Sequence, residues 1–508
     1  MIGDPLFEQA RMTPAADFVI LDERIVSYGE MADLTERLAG WARRRGIGPG
    51  DRVALLCGNN LSFLTIWFGL AAVGAVLVPL NTALVGEGLR YVLRRCGARL
   101  LLAESAELAD KLDEIETHFT ELEIFAFDDD AALEAVLPAV GAPDSKPPVA
   151  SEPGTPCAII YTSGTTGFPK GAVISHTAYL AAGAGIRDGM AMTAADRIMV
   201  VLPLFHANPQ MYAVMSAIQC GAALVLRPEF SASRFFIEAR RFGATCFTYV
   251  GTVLGILARR HEGSQRNHAL AWCVGGGAPA AIWDQIEERF GVAVRELYGM
   301  TETGGFVTLN RAADNRRHSC GRPRHDMELQ VVDEHDNPLG AGESGEIVVR
   351  PKQPFVLFSG YLEAPDITLE AFRNLWFHTG DLGRLDDDGY LYFEGWAKDL
   401  IRRAGEMISP GEIERALSQH PLVGDCAVVG LADDIMGEEI KAAVVPKGSV
   451  EAEDLAAFLR GRLAAFMVPR YFEFVERIPK TETHKVQRHR LQGRGADVID
   501  LALDQELK

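Results

Sequence analysis

The densest chemistry in this chain lies in Tyr161-Thr162-Ser163-Gly164-Thr165-Thr166-Gly167-Phe168-Pro169-Lys170-Gly171. Small residues let backbone N–H groups approach an anion closely. Hydroxyls add donors, and Lys170 adds a point charge. An apolar run, Cys157 to Ile160, precedes the loop and reads as a strand. A polyphosphate is the ligand that such a loop suits. The spacing is not that of a Walker A loop, because no Ser or Thr follows Lys170.

Three further segments carry chemistry. Gly275-Gly276-Gly277-Ala278-Pro279 follows a short apolar strand, and glycines there permit close backbone approach to a flat ligand. Tyr298-Gly299-Met300-Thr301-Glu302-Thr303 offers a hydroxyl beside a carboxylate. Nucleotide-bound Mg²⁺ takes one or two carboxylates together with phosphate oxygens and water. Trp376-Phe377-His378-Thr379-Gly380-Asp381 places a lone acid among apolar and small residues, and a carboxylate accepts two hydrogen bonds at once. Each segment alone also reads as an ordinary turn.

Together these motifs resemble those of the adenylate-forming superfamily of acyl-CoA synthetases, luciferases and adenylation domains. Matching motifs run from about Tyr28 to Leu491. The resemblance implies an α/β fold: a large N-terminal domain of layered sheets and helices, residues 1–394, and a small mobile α+β C-terminal domain, residues 395–508. It implies ATP, Mg²⁺ and coenzyme A as cofactor and co-substrates. On the matching positions, Thr162, Ser163, Gly164, Thr165, Thr166, Gly167 and Lys170 hold phosphate, and Gly276, Gly277 and Ala278 edge the adenine. Tyr298 covers the adenine beside Gly299, Thr301 contacts phosphate, Glu302 holds the metal, and Asp381 takes the ribose. Lys398 falls at the hinge, and Lys485 matches the catalytic lysine.

The acyl pocket is expected around His206, Asn208, Tyr249, Gly251 and Gly305, with Met211 and Met215 read as core on one helical face. Locally the chain looks most like ligases of the crotonobetaine/carnitine type. It departs from the family at Trp396, where an Arg is usual, and at His484, where a Gly is usual. A neighbouring cation, Arg402 or Arg403, is expected to replace the missing charge. The expected reaction joins a carboxylic acid to CoA through an acyl-adenylate. The alternatives are transfer to a carrier-protein thiol, opposed by the lack of a carrier domain after Leu491, and a non-catalytic nucleotide-binding relative.

The elements that must position these groups alternate between strand and helix, which implies parallel sheet with crossover helices. Ser27-Tyr28-Gly29-Glu30 reads as a capping box, and Arg52 to Leu56 as a strand. The apolar stretch Ser62 to Leu80 reads as a buried helix (Phe63 to Val73) and a strand (Ala75 to Val78), because Gly74 breaks it and Pro79 closes it. A helix over Glu87–Cys96 and a strand over Leu100–Ala103 follow. Gly141 to Pro156 reads as a surface loop, and Phe355–Gly395 as short strands and tight turns. Ser409 and Pro410 should open a helix as N-cap and N1.

With 508 residues the chain needs more than one domain. A net charge of −19 points away from nucleic acid. Eight scattered cysteines without a Cys-x-x-Cys pair point away from zinc or disulfides and toward a reducing cytoplasm. Met1 to Pro14 carries Asp4 and Glu8 and is not expected to be a signal peptide. The expected partners are therefore ATP, CoA and a small carboxylic acid, with no transmembrane segment and with a homodimer left open.

Overall fold

The computed structural model describes residues 1–139, 141, 149, 152–162, 169–395, the backbone of 396, 400–479, 486–495 and 497–501. The expected alternation builds two largely parallel sheets. In one, the strands run in the order Glu123–Phe127, Leu100–Glu104, Arg52–Leu56, Val76–Pro79, Pro156–Thr162 and Lys170–Ser175. All pairings in it are parallel except the last, which is antiparallel and pairs Thr162 with Lys170. The phosphate-loop segment therefore connects two hydrogen-bonded strands at a sheet edge. The other sheet contains Cys246–Val250, Trp272–Gly276 and Ala293–Tyr298 as parallel neighbours, with Thr308–Leu309 and Arg322–Pro323 closing one edge antiparallel.

Local sequence explains the helices between them. Ser27 Oγ accepts the Glu30 N–H while the Glu30 carboxylate accepts the Ser27 N–H, so the capping box is made at the start of Tyr28–Arg44. Such a cap contributes about 1 kcal/mol. Every residue of the helix Leu61–Ala72 is buried. Its apolar surface faces protein on all sides, and Gly74, at φ +76°, turns the chain into Val76–Pro79. Among the described residues no helix is long and apolar enough to cross a membrane. The helices Tyr28–Arg44, Leu61–Ala72 and His176–Met190 share one core with side chains from both sheets.

The expected short strands after Phe355 appear as Phe372–Arg373, Trp376–Leu385 and Leu391–Trp396, in an antiparallel sheet with Met327–Val332 and Gly345–Pro351. A helix, Pro365–Ala371, stands among them where only strands and turns are expected from the sequence. Pro365 sits in its first turn, where the missing N–H removes no bond. The next strand, Ile401–Arg403, belongs to a separate sheet built on the long hairpin Val423–Asp433 and Gly437–Pro446. That sheet, with Pro410–Ser418 and Ala452–Arg460, has its own core. Pro410 is in the first turn of its helix as expected, but Ser409 makes no side-chain capping bond. The molecule thus has a large N-terminal and a smaller C-terminal domain. Most of the expected loop Gly141–Pro156, and Lys398, His484 and Lys485, lie outside the described residues.

Candidate active site

Glu302 joins residues expected at the phosphate end. It lies in the short 3₁₀ turn Thr301–Thr303, two residues after the strand Ala293–Tyr298. Its Oε1 accepts from Thr162 Oγ1 at 2.8 Å and from the Tyr361 hydroxyl at 3.0 Å. Its Oε2 is buried without a hydrogen-bond partner. Lys170 Nζ stands 5.2 Å from the centre of the Tyr361 ring. Thr162, Lys170, Tyr361 and Glu302 thus meet at the mouth of the phosphate-loop hairpin. Ser163, Gly164, Thr165, Thr166 and Gly167 lie outside the described residues. Thr301, half-buried, is adjacent in sequence to Glu302.

A buried carboxylate oxygen with no donor is suited to a cation, because leaving it unpaired is unfavourable. One carboxylate oxygen with phosphate oxygens and water is the environment Mg²⁺ takes beside a nucleotide. Among the described residues no cluster of three or more His, Cys, Asp or Glu side chains could hold a metal alone. Glu302 could therefore offer one oxygen to a metal whose other ligands are not protein carboxylates.

The residues expected at the nucleoside end lie on three strands, Gly276 and Tyr298 at strand ends and Asp381 within its strand. Tyr298 is buried at the end of its strand; its hydroxyl donates to Asp381 Oδ2 at 2.7 Å and its ring lies 5.9 Å from Phe393. Asp381 sits on Trp376–Leu385, in register with Trp396 on the neighbouring strand. Gly275 and Gly276 belong to the strand Trp272–Gly276 rather than following it. A Cβ on Gly275 would overlap the Tyr249 carbonyl oxygen. Only Gly277, at φ +86°, leaves the strand in the left-handed conformation that glycine adopts freely.

Sequence reasoning missed Glu296, which fixes that turn. The N–H of Gly277 donates to Glu296 Oε1, that of Ala278 reaches the same oxygen at 3.1 Å, and the Tyr249 hydroxyl donates to Oε2 at 2.6 Å. Burial pushes the Glu296 carboxyl up to about 7 against these hydrogen bonds. Its signal was an acid, beside Arg295, inside a strand that is otherwise apolar or aromatic, Ala293–Tyr298.

The acyl-site candidates converge on the same turn. A Cβ on Gly251 would overlap the Gly277 carbonyl oxygen, so only glycine allows these two backbones to touch. Asn208 donates to the Tyr249 carbonyl at 3.1 Å, and its own Oδ1 is buried and unpartnered. A Cβ on Gly305 would lie 3.0 Å from Met211 Sδ and 3.1 Å from the Tyr212 ring. A Cβ on Gly299 would overlap the Gly305 carbonyl, which ties together the segments expected to form the nucleoside and acyl walls. Met211 lies in a π-helical segment, Pro209–Val214, and Met215 opens the α-helix after it. Both methionines are fully buried. The single helical face expected there is thus interrupted, and π-helical turns are frequent where a helix lines a functional site.

The small domain closes over this region. His206 Nε2 and Glu406 Oε1 lie 2.7 Å apart, joining the two domains. Burial lowers the His206 pKa, but the Glu406 charge and hydrogen bond outweigh it and the net shift is upward. The Arg402 guanidinium sits where a Cβ on Gly277 would be 3.1 Å from Nη1, and it senses Glu296 and Asp381. Arg403 is instead paired with Glu439 at 2.7 Å inside the small domain and donates to the Phe466 carbonyl. Of the two cations expected to replace the usual Arg at position 396, only Arg402 comes close to Gly277.

Known proteins match this arrangement. The pattern of the AMP-binding enzymes matches residues 6–362, and that of their C-terminal domain matches residues 412–485. The chain is 32% identical to oxalate–CoA ligase of Arabidopsis thaliana, over 91% of this chain and 92% of that one. It is 34% identical to crotonobetaine/carnitine–CoA ligase of Salmonella typhimurium, over 92% and 93%. Among solved structures, o-succinylbenzoate CoA synthetase of Bacillus subtilis appears in more than one ligand state. A double mutant bound to a product analogue, OSB-NCoA, superposes with a TM-score of 0.86 at 26% identity, over 97% of this chain and 98% of that one. The complex with the acyl-adenylate OSB-AMP gives 0.70 at 25% identity over the same shares. The chain belongs to the AMP-binding enzyme family.

Proposed function

We propose that this protein is an AMP-forming acid–CoA ligase whose substrates are ATP, CoA and a short polar carboxylic acid. The observation that carries the reading is Glu302, held by Thr162 and Tyr361 at the mouth of the phosphate hairpin with one buried oxygen free. The relatives' acids, oxalate and crotonobetaine or carnitine, support a small polar acid over a long alkyl chain.

The acid carboxylate attacks the α-phosphorus of ATP, and pyrophosphate leaves. Both partners are anions, so cations must stabilise the charge on the transferring group. Lys170 and Lys485 supply it from the protein. Mg²⁺, where bound through Glu302, supplies further positive charge to the phosphates. Asp381 holds the ribose hydroxyls, Gly277 and Ala278 edge the adenine, and Thr301 orients phosphate. The CoA thiol then attacks the acyl carbon of the adenylate and AMP leaves. Lys398 is the hinge residue in this reading, at a domain boundary near residues 394–398.

The two TM-scores bear on the second step. The same solved enzyme fits this chain far better in its CoA-product-analogue complex than in its acyl-adenylate complex. A small domain set close to its position in the product-analogue complex would account for that difference. In that position the His206–Glu406 contact and the Arg402 approach hold the two domains together. CoA-dependent AMP formation across a panel of acids tests the proposal. A short polar acid should support it, and AMP formation that ignores CoA would refute it.

A further inference from the structure

Arg324 follows the edge strand Arg322–Pro323 and is 4% exposed. Its Nε donates to Asp326 Oδ1 at 3.0 Å, while Nη1 and Nη2 are both buried with no hydrogen-bond partner. Such a fork left unpaired in the interior is unfavourable. The side chain runs along helix His176–Met190 at Gly185, where a Cβ would lie 3.1 Å from Arg324 Cδ. Its guanidinium carbon stands 4.8 Å from the centre of the Phe306 ring. Phe306 is the residue after the acyl-wall Gly305, and its ring meets the Tyr212 ring edge-on at 5.6 Å. The Tyr212 hydroxyl donates to the Gly305 carbonyl at 2.8 Å. These contacts set the guanidinium against the ring of the residue that follows the acyl-wall candidate Gly305.

We infer that Arg324 recognises a second oxyanion, a carboxylate or sulfonate, at the distal end of the acid this enzyme activates. This deepens the ligase reading above and rests on it. Asp326 occupies only the Nε side and neutralises the charge, so the free enzyme can hold the pair in its interior. The Nη1–Nη2 edge then presents parallel N–H donors to a planar oxyanion, the geometry in which arginine binds bidentately. An uncharged alkyl end would leave those donors unpaired in the complex, and sites built to donate hydrogen bonds reject such analogues strongly.

The test is acid-dependent pyrophosphate release by the full-length enzyme with chain-matched acids bearing a distal carboxylate, sulfonate or methyl group. Removing Arg324 alone would strand Asp326, so the decisive variant is Arg324→Met with Asp326→Asn, checked for an unchanged melting temperature. The parent should favour the oxyanion acids over the methyl acid by about 100-fold in kcat/KM, and the double variant should lose most of that preference. Comparing the carboxylate with the sulfonate then says which oxyanion the site prefers. Parent turnover confined to methyl acids, or a preference that survives in the double variant, overturns the inference alone. No turnover with any acid overturns the ligase reading, and the inference with it.

Discussion

The contact between His206 and Glu406 is the most direct handle on domain closure. Its two atoms are 2.7 Å apart, and the side chains are 38% and 25% exposed. An ion pair that open to solvent contributes about 1 kcal/mol at most. If it exists only in the thioester-forming arrangement, removing it slows that half-reaction by roughly 5-fold and spares adenylation. The perturbation is Glu406→Gln, with His206→Gln completing a double-mutant cycle. Adenylation is read by pyrophosphate exchange, and thioester formation by single turnover from supplied acyl-AMP and CoA.

The pH dependence has a definite sign. His206 is raised, so its part of the contact is complete below the ordinary imidazole value and is lost as pH rises through the raised one. Burial raises the Glu406 carboxyl, but the His206 charge and hydrogen bond bring it below its ordinary value. Its part is complete above the ordinary carboxylate value and is lost as pH falls through the lowered one. The parent's advantage over Glu406→Gln should be largest between about pH 4.5 and 6.5 and fade in alkali. Equal slowing of both half-reactions, or an advantage that grows with pH, would refute the reasoning.

Lys485→Ala should nearly abolish adenylate formation and spare thioester formation from supplied acyl-AMP; equal loss in both half-reactions would remove it from the first step. Asp381→Ala should weaken ATP binding by roughly 1.5–3 kcal/mol per lost bond and erase discrimination against 2′-deoxy-ATP, measured by competing the two nucleotides. Arg402→Ala should raise the KM for ATP clearly, whereas Trp396→Arg should change it only modestly. Arg403→Ala should lower the melting temperature instead, because it leaves the buried Glu439 unpaired; a KM effect larger than that of Arg402→Ala would reverse the assignment.

Local signals in the sequence were sufficient wherever the structure depends on neighbours in the chain. The capping box at Ser27 and Glu30, the break at Gly74 and the strand before the phosphate loop are all of this kind. Ser409 shows the limit even there, since its N-cap position carries no capping bond. Long-range partnerships were illegible. Nothing near Glu296 in sequence says that its carboxylate holds a turn 18 residues away at Ala278. Nothing at Arg324 announces an unpaired fork, because burial and the lack of a partner are properties of the packed molecule. Gly275 reads in the sequence as a site of close ligand approach, yet it, like Gly251 and Gly299, is required first because another backbone lies against it.

The central claim is that the acid passes through an acyl-adenylate. When the acid's carboxylate carries a heavy oxygen isotope, attack on the α-phosphorus leaves one labelled oxygen bridging acyl carbon and phosphorus, and thiol attack on the acyl carbon leaves it in AMP. Mass spectrometry of the nucleotide after turnover with CoA should find one heavy oxygen in AMP and none in pyrophosphate. Formation of ADP with label in inorganic phosphate would mean an acyl-phosphate route and would contradict the account.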